Sequence, residues 1–184
     1  MTRLGAALAV VVAQLAWVSI PPPLAENADP DLTVVGADVS QRAALVEAVD
    51  RFQGNHLDLP DLEVRFSDDP AHCHGHEGWF NPRVAPMRVL VCGELGFVIT
   101  HELAHAWVAA NLDVADRNRY MAARELTNWN DHDAPWTDRG TEDAAFMIQQ
   151  NLMMDNPRRW SATWVERADA YELLTGRTSP LRLP

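Results

Sequence analysis

Residues 97–108 read Phe97-Val98-Ile99-Thr100-His101-Glu102-Leu103-Ala104-His105-Ala106-Trp107-Val108. The run is apolar apart from Thr100, two histidines and one glutamate, and it extends as an apolar helix to about Leu112. Side chains four apart on a helix project from one face, one turn above the other. His101 and His105 therefore offer two imidazoles to one point, the arrangement in which an H-E-x-x-H helix holds a tetrahedral zinc ion. Glu102 sits on the adjacent face, close enough to act on water beside such an ion but not to ligate it. On a helix this apolar, unpaired polar groups are costly, and metal ligation satisfies both rings.

A catalytic zinc keeps three protein ligands and one open position. The best third ligand downstream is Glu142, which opens a helix whose apolar positions are Ala145, Phe146, Ile148 and Leu152. A rigid element holds a ligand better than a loop does. Asp143 is the competing carboxylate. An acid in the first helical turn is also favoured by the helix dipole alone, which does not exclude ligation. With Zn2+ bound, Glu102 is the expected general base for attack of water on a peptide carbonyl. A donor for the developing oxyanion is sought among His132, Tyr120 and Tyr171. His132 is preferred because it lies in the loop just before the ligand helix. Arg139 is a candidate to orient a carboxylate near Glu142.

The pair of segments His101-Glu102-Leu103-Ala104-His105 and Gly140-Thr141-Glu142-Asp143-Ala144-Ala145 resembles the gluzincin branch of the zincin metallopeptidases. More narrowly, it is similar to small secreted actinobacterial zincin-like proteins. In those, a Cys-flanked sheet precedes H-E-L-A-H-A-W, and a Trp-rich loop leads to the glutamate helix. The resemblance spans roughly residues 60–180. It implies a zinc hydrolase of peptide or protein substrates. One departure stands out. Gluzincins often carry an Asp four residues after the ligand glutamate, where this chain has Phe146, so support for the ligand histidines must come from elsewhere, with Asp143 a candidate.

Upstream, Ala44, Leu45, Ala48, Val49 and Phe52 recur at helical spacing, with Ser40 as the expected cap and Gly54-Asn55 as the stop. Residues 26–38 read as an irregular lead-in. Leu62 to Phe66 alternates as a half-buried strand, Gly78-Trp79-Phe80 is a short second strand, and Met87 to Val91 is a third. Downstream of the metal helix, one helix is expected from Arg117 to Leu126 with Asp116 as its cap. Another runs from a Thr141 cap to about Met154, and a last one from Ser161 to near Gly176. The fold class is thus α+β. A small antiparallel sheet with an N-terminal helix packs on a helical half that carries the H-E-x-x-H helix and the glutamate helix, in one domain over residues 26–184.

Residues 1–25 read as a signal peptide: Arg3 precedes the apolar run Leu4 to Ile20, and Pro21-Pro22-Pro23 ends it. An uncleaved N-terminal anchor is the alternative. Either reading places the domain outside the cytoplasm, secreted or in the cell envelope. Once the signal is cleaved, no stable membrane association is expected. Cys73 and Cys92, an even count in an exported chain, are expected to form a disulfide closing a loop of about 20 residues, worth roughly 3 kcal/mol. The chain carries 26 acidic against 15 basic residues, a formal net charge of −11, which argues against nucleic-acid binding.

The run His72-Cys73-His74-Gly75-His76-Glu77 could form a second metal cluster, or one face of an edge beside a substrate cleft. Of the seven tryptophans, most are expected as core or loop anchors, and the stretch from Trp129 to Trp136 could wall a pocket. The alternative to a hydrolase is a catalytically silent zincin-fold domain that binds a protein or a metal. Glu102 favours catalysis, since a purely structural zinc site has no use for a base there.

Overall fold

A computed structural model describes residues 30–93, 95–131, 133–154 and 163–182. The expected signal segment, the expected Ser161 cap and His132 lie outside the described residues. The fold is α+β, with four strands and five α-helices among the described residues. Strand β1 (Leu32–Val35) leads to helix α1 (Val39–Gly54), followed by β2 (Leu62–Phe66), β3 (Gly78–Asn81) and β4 (Met87–Val91). The helical half is α2 (Leu95–Asn111), α3 (Val114–Ala123), α4 (Gly140–Met153) and α5 (Trp164–Thr175).

The strands form one sheet in the order β1-β2-β4-β3. β1 runs parallel to β2, β2 parallel to β4, and β3 antiparallel to β4. This corrects the expectation of an antiparallel sheet. The segment read as a lead-in contains Leu32-Thr33-Val34-Val35, which is a strand, and α1 crosses over from it to β2. A strand that returns through a helix of this length pairs in parallel. β3 folds back on the outer side of β4, so β4 faces β2 directly and β3 becomes an edge.

Helix starts also differ in detail from the sequence reading. Asp38, not Ser40, caps α1: its carboxylate accepts from Gln41 N at 2.8 Å while the Gln41 side chain accepts from Asp38 N at 2.8 Å. The Ser40 hydroxyl instead donates to Asp38. The same reciprocal box forms at α3 between Asp113 and Asp116, so Asp113 is the cap. At α5 the pair is Thr163 and Glu166.

Leu62, Val64 and Phe66 of β2 and Val89 and Val91 of β4 point into the core, as the period-two pattern requires. They meet α1 through Leu45, Ala48, Val49 and Phe52. α2 is buried continuously from Val98 to Val108. It lies between the sheet and α1 on one side and α4 on the other. Burial of each large apolar side chain such as Ile99 or Leu103 contributes roughly 1.5–3 kcal/mol, so the helix that carries the histidines is among the most firmly held parts of the molecule.

Cys73 and Cys92 form the expected disulfide, with Cα atoms 6.2 Å apart. It joins the turn before β3 to the residue after β4, and Cys92 N donates to Glu77 O at 2.7 Å beside it. Such a bond is consistent with an extracytoplasmic protein. Among the described residues, no helix is long and apolar enough to cross a membrane.

Candidate metal centre

His101 and His105, one turn apart on α2, turn their Nε2 atoms toward each other at 3.1 Å. Glu142, in the first turn of α4, brings Oε2 to 3.1 Å from His105 Nε2 and 3.3 Å from His101 Nε2. Three atoms this close cannot all be satisfied by hydrogen bonds, because a ring N–H points in one direction only. The triangle has another reading. Ligands about 2.0–2.1 Å from a tetrahedral ion stand about 3.3–3.4 Å from one another, and the observed edges are 3.1–3.3 Å. Two imidazole nitrogens and one carboxylate oxygen are also the donor set of a borderline divalent ion. Among the described residues, these three form the one group of His, Cys, Asp or Glu side chains able to hold a metal ion.

The supports of each ligand can be traced. The two rings cross nearly at right angles, and Phe80 of β3 lies parallel to the His105 ring, centroids 6.2 Å apart. His105 Nδ1 faces the Thr141 hydroxyl at 3.4 Å. Thr141 was read from sequence as the cap of α4, but α4 begins at Gly140 without a side-chain cap, which leaves this hydroxyl for the histidine. His101 Nδ1 is buried with no hydrogen-bond partner among the described residues. Burial alone would raise the Glu142 carboxyl, but its hydrogen bonds to His101 and His105 outweigh that and hold it well below the usual carboxylate range.

Asp143 is neither a ligand nor a support for the histidines. Successive helical residues are turned about 100° around the axis, so Asp143 faces away from Glu142, toward α3. There it is buried, accepting from the Tyr120 hydroxyl at 2.5 Å and from Arg124 at 3.0 and 3.1 Å. Hydrogen bonding to Asp143 outweighs desolvation and raises the Arg124 guanidinium further. Burial, then the Asp143 charge, raises the Tyr120 phenol. This network anchors the start of α4, and so Glu142, to α3. The same start is pinned by Gly140 N to Asn128 O at 3.0 Å and Thr141 N to Trp129 O at 2.8 Å.

Glu102 lies beside the triad, 7% exposed. Burial pushes its carboxyl up to about 7; the His101 charge opposes the rise and Glu142 adds to it. β3 lies directly on it: a Cβ at Gly78 would fall 2.5 Å from Glu102 Oε1 and 2.6 Å from a Val98 methyl. Only a glycine at this strand start leaves room for such close approach.

The triad and Glu102 line a cleft of about 820 Å³. The edge strand β3 forms one wall, and Trp129 and Trp136 contribute to the other, as the Trp-rich loop suggested. Tyr120 and Tyr171 do not line it; both are buried in the helical half. Arg139 does line it, and its guanidinium donates to Ala134 O at 2.9 and 3.0 Å. The His72–His76 run does not assemble a second metal cluster among the described residues. Cys73 is in the disulfide, His72 bonds the Ser67 hydroxyl at 2.7 Å, and His74 packs edge-on against Trp79.

Comparison of the chain with protein-family models, curated proteins and solved structures finds no match. The functional reading therefore rests on the residues and their geometry.

Proposed function

We propose that this protein is an extracytoplasmic zinc-dependent metallopeptidase, with His101, His105 and Glu142 as ligands and Glu102 as general base. The observation that carries the reading is the triangle of two Nε2 atoms and one carboxylate oxygen with edges of 3.1–3.3 Å, next to a second, buried carboxylate that is not part of it. The fit favours zinc over calcium or magnesium, which prefer six or more oxygen donors. Bound there, zinc supplies Lewis acidity toward a carbonyl oxygen and toward water.

The chain's own groups do the rest. Glu102 takes the proton of the attacking water and returns it to the departing amine, a role suited to a carboxyl raised by burial. Among the described residues β3 is an edge strand along the cleft, against which an extended peptide can lie as an added strand. Thr141 fixes the His105 ring, and Phe80 limits its tilt. A silent binding domain would have no need of a buried acid held against the site by a close-packed glycine.

The test is to produce the full chain, measure bound metal by mass spectrometry, and assay hydrolysis of a peptide library with and without chelator. Glu102→Gln should retain one zinc per chain and lose hydrolysis. A Glu102→Gln protein that cleaves as fast as the parent, or a parent that binds no zinc, would refute the reading.

A further inference from the structure

The cleft along α2 has two chemically different ends. Near the start of the helix, Phe97 and Val98 line it, as do His76 and Glu77. Toward its end, Val108 and Ala109 line the cleft, and α3, which begins just beyond, brings Arg117 into it. We propose that Arg117, backed by Trp129, recognises a carboxylate of the substrate. The preferred peptides then carry an acidic side chain or a free C-terminal carboxylate that lies in the cleft beside Arg117. This deepens the hydrolytic reading above and rests on it.

Four observations converge on this residue. First, Arg117 Nε is buried without a hydrogen-bond partner among the described residues. Its neighbours differ: Arg119 pairs with Asp116 at 2.6 Å and Arg124 with Asp143 at 3.0 Å. In a chain with 26 acidic residues, an arginine without such a partner beside a cleft is set up for an incoming one. The guanidinium lines the cleft, so its outer nitrogens are the donors a ligand carboxylate can meet.

Second, the Arg117 guanidinium carbon lies 5.5 Å from the centroid of the Trp129 ring. A guanidinium on an aromatic face keeps its planar fork of donors available, and that fork matches a carboxylate in two parallel hydrogen bonds. Third, the platform is fixed relative to the metal ligands. Trp129 O accepts from Thr141 N, and a Cβ at Gly140 would fall 2.8 Å from the Trp129 ring. The residues that hold Arg117 are thus joined to the backbone that presents Glu142.

Fourth, the charge of the cleft agrees. Among the described lining residues, Arg83, Arg117 and Arg139 balance Glu77, Glu102 and Glu142, so a bound divalent cation leaves the cleft net positive on an acidic protein. Such a field draws anionic substrates in.

The experiment uses the full chain loaded with zinc and carrying Glu102→Gln, so that peptides bind without being cleaved; the unmodified chain is assayed for hydrolysis in parallel. The probes are short alanine-based peptides made as matched twins, with Glu or Gln at each position in turn and with the C terminus free or amidated. Calorimetry should find at least one carboxylate twin bound about tenfold more tightly, about 1.4 kcal/mol. Which twin responds tells a side chain from a terminus. Adding Arg117→Gln should close the gap, while Arg119→Gln, which removes the same charge from the same helix outside this cleft, should leave it.

Twins bound equally, or a gap that survives Arg117→Gln in a protein with a native circular dichroism spectrum, overturn the proposal. Should that variant fail to fold, Arg117→Lys keeps the charge but loses the fork, and an undiminished gap there overturns it as well. Cleavage by the unmodified chain with equal binding of the twins leaves the hydrolytic reading standing and removes this one. Discrimination through Arg117 with no cleavage of any peptide does the reverse.

Discussion

The hydroxyl of Tyr120 donates to Asp143 across 2.5 Å, and Asp143 is the residue that follows Glu142 of the candidate metal triad. One helical position thus separates the carboxylate that faces the histidines from the one that anchors α4 to α3. Tyr120→Phe removes one of three hydrogen bonds to a buried carboxylate, and bonds to charged groups are worth about 1.5–3 kcal/mol. The variant should unfold at lower denaturant by about that amount, and it should bind zinc more weakly in a competition assay because Glu142 loses part of its support. Loss of stability with unchanged zinc affinity would show that the anchor does not reach the metal site.

Chelation should destabilise the protein. A ligand that binds only the folded state at 1,000 times its dissociation constant adds about 4 kcal/mol. Thermal unfolding of the zinc-loaded chain should therefore shift down by several degrees with chelator. In Glu142→Ala the shift should shrink or vanish. A shift of full size in that variant would move the third ligand elsewhere.

Gly78→Ala tests the packing of β3 on Glu102. The added methyl would enter space held by the Glu102 carboxylate and Val98, so one of them must move. Overpacking of this kind costs about 1–3 kcal/mol. With Glu102 as the proposed general base, hydrolysis should fall by roughly tenfold or more, since a small displacement of a reacting group is expensive. Zinc stoichiometry should stay at that of the parent. Parent-like kcat/KM would mean that the position of Glu102 is not critical.

Alkaline pH should unfold the protein through its buried phenols. Burial pushes Tyr171 up to about 12, and Tyr120 is raised by burial and then by the charge of Asp143. In the unfolded chain both titrate near pH 10. Above that pH the folded state keeps protons that the unfolded state has released, so stability falls as pH rises. The contribution is complete below about pH 10 and is lost as pH climbs toward the folded values. Unfolding temperature should drop from about pH 10 upward, and tyrosinate absorbance should grow only as the fold is lost. Both phenols ionising near pH 10 in an intact fold would contradict their burial.

The metal helix was legible because its decisive relation, four residues apart on one face, is set within a single turn. Glu142 was legible for a similar reason: an acid at the head of an apolar helix has few places to point. What escaped depends on contacts between distant segments. Leu32-Thr33-Val34-Val35 is too short to announce a strand without its partner β2, and without it the parallel crossover, and hence the mixed sheet, is invisible. Thr141 looks like any helix cap until His105 is placed beside it. Asp143 looked like a rival ligand because sequence shows adjacency and not the rotation that sends neighbours to opposite sides. Arg117 carries no local signal; its character comes from a missing partner and from Trp129.

The loop between α3 and α4 has a sealed base. Gly140 and Thr141 bond back to Asn128 and Trp129, so its two feet are stitched together where the helix begins. Lengthening a loop whose ends are already joined adds only a slowly growing entropic cost, about 0.6 kcal/mol per doubling. The described residues between Asn130 and Asp138, of which Asn130 and Trp136 line the cleft, can therefore be exchanged as a panel while the carboxylate next after the seam keeps its aim.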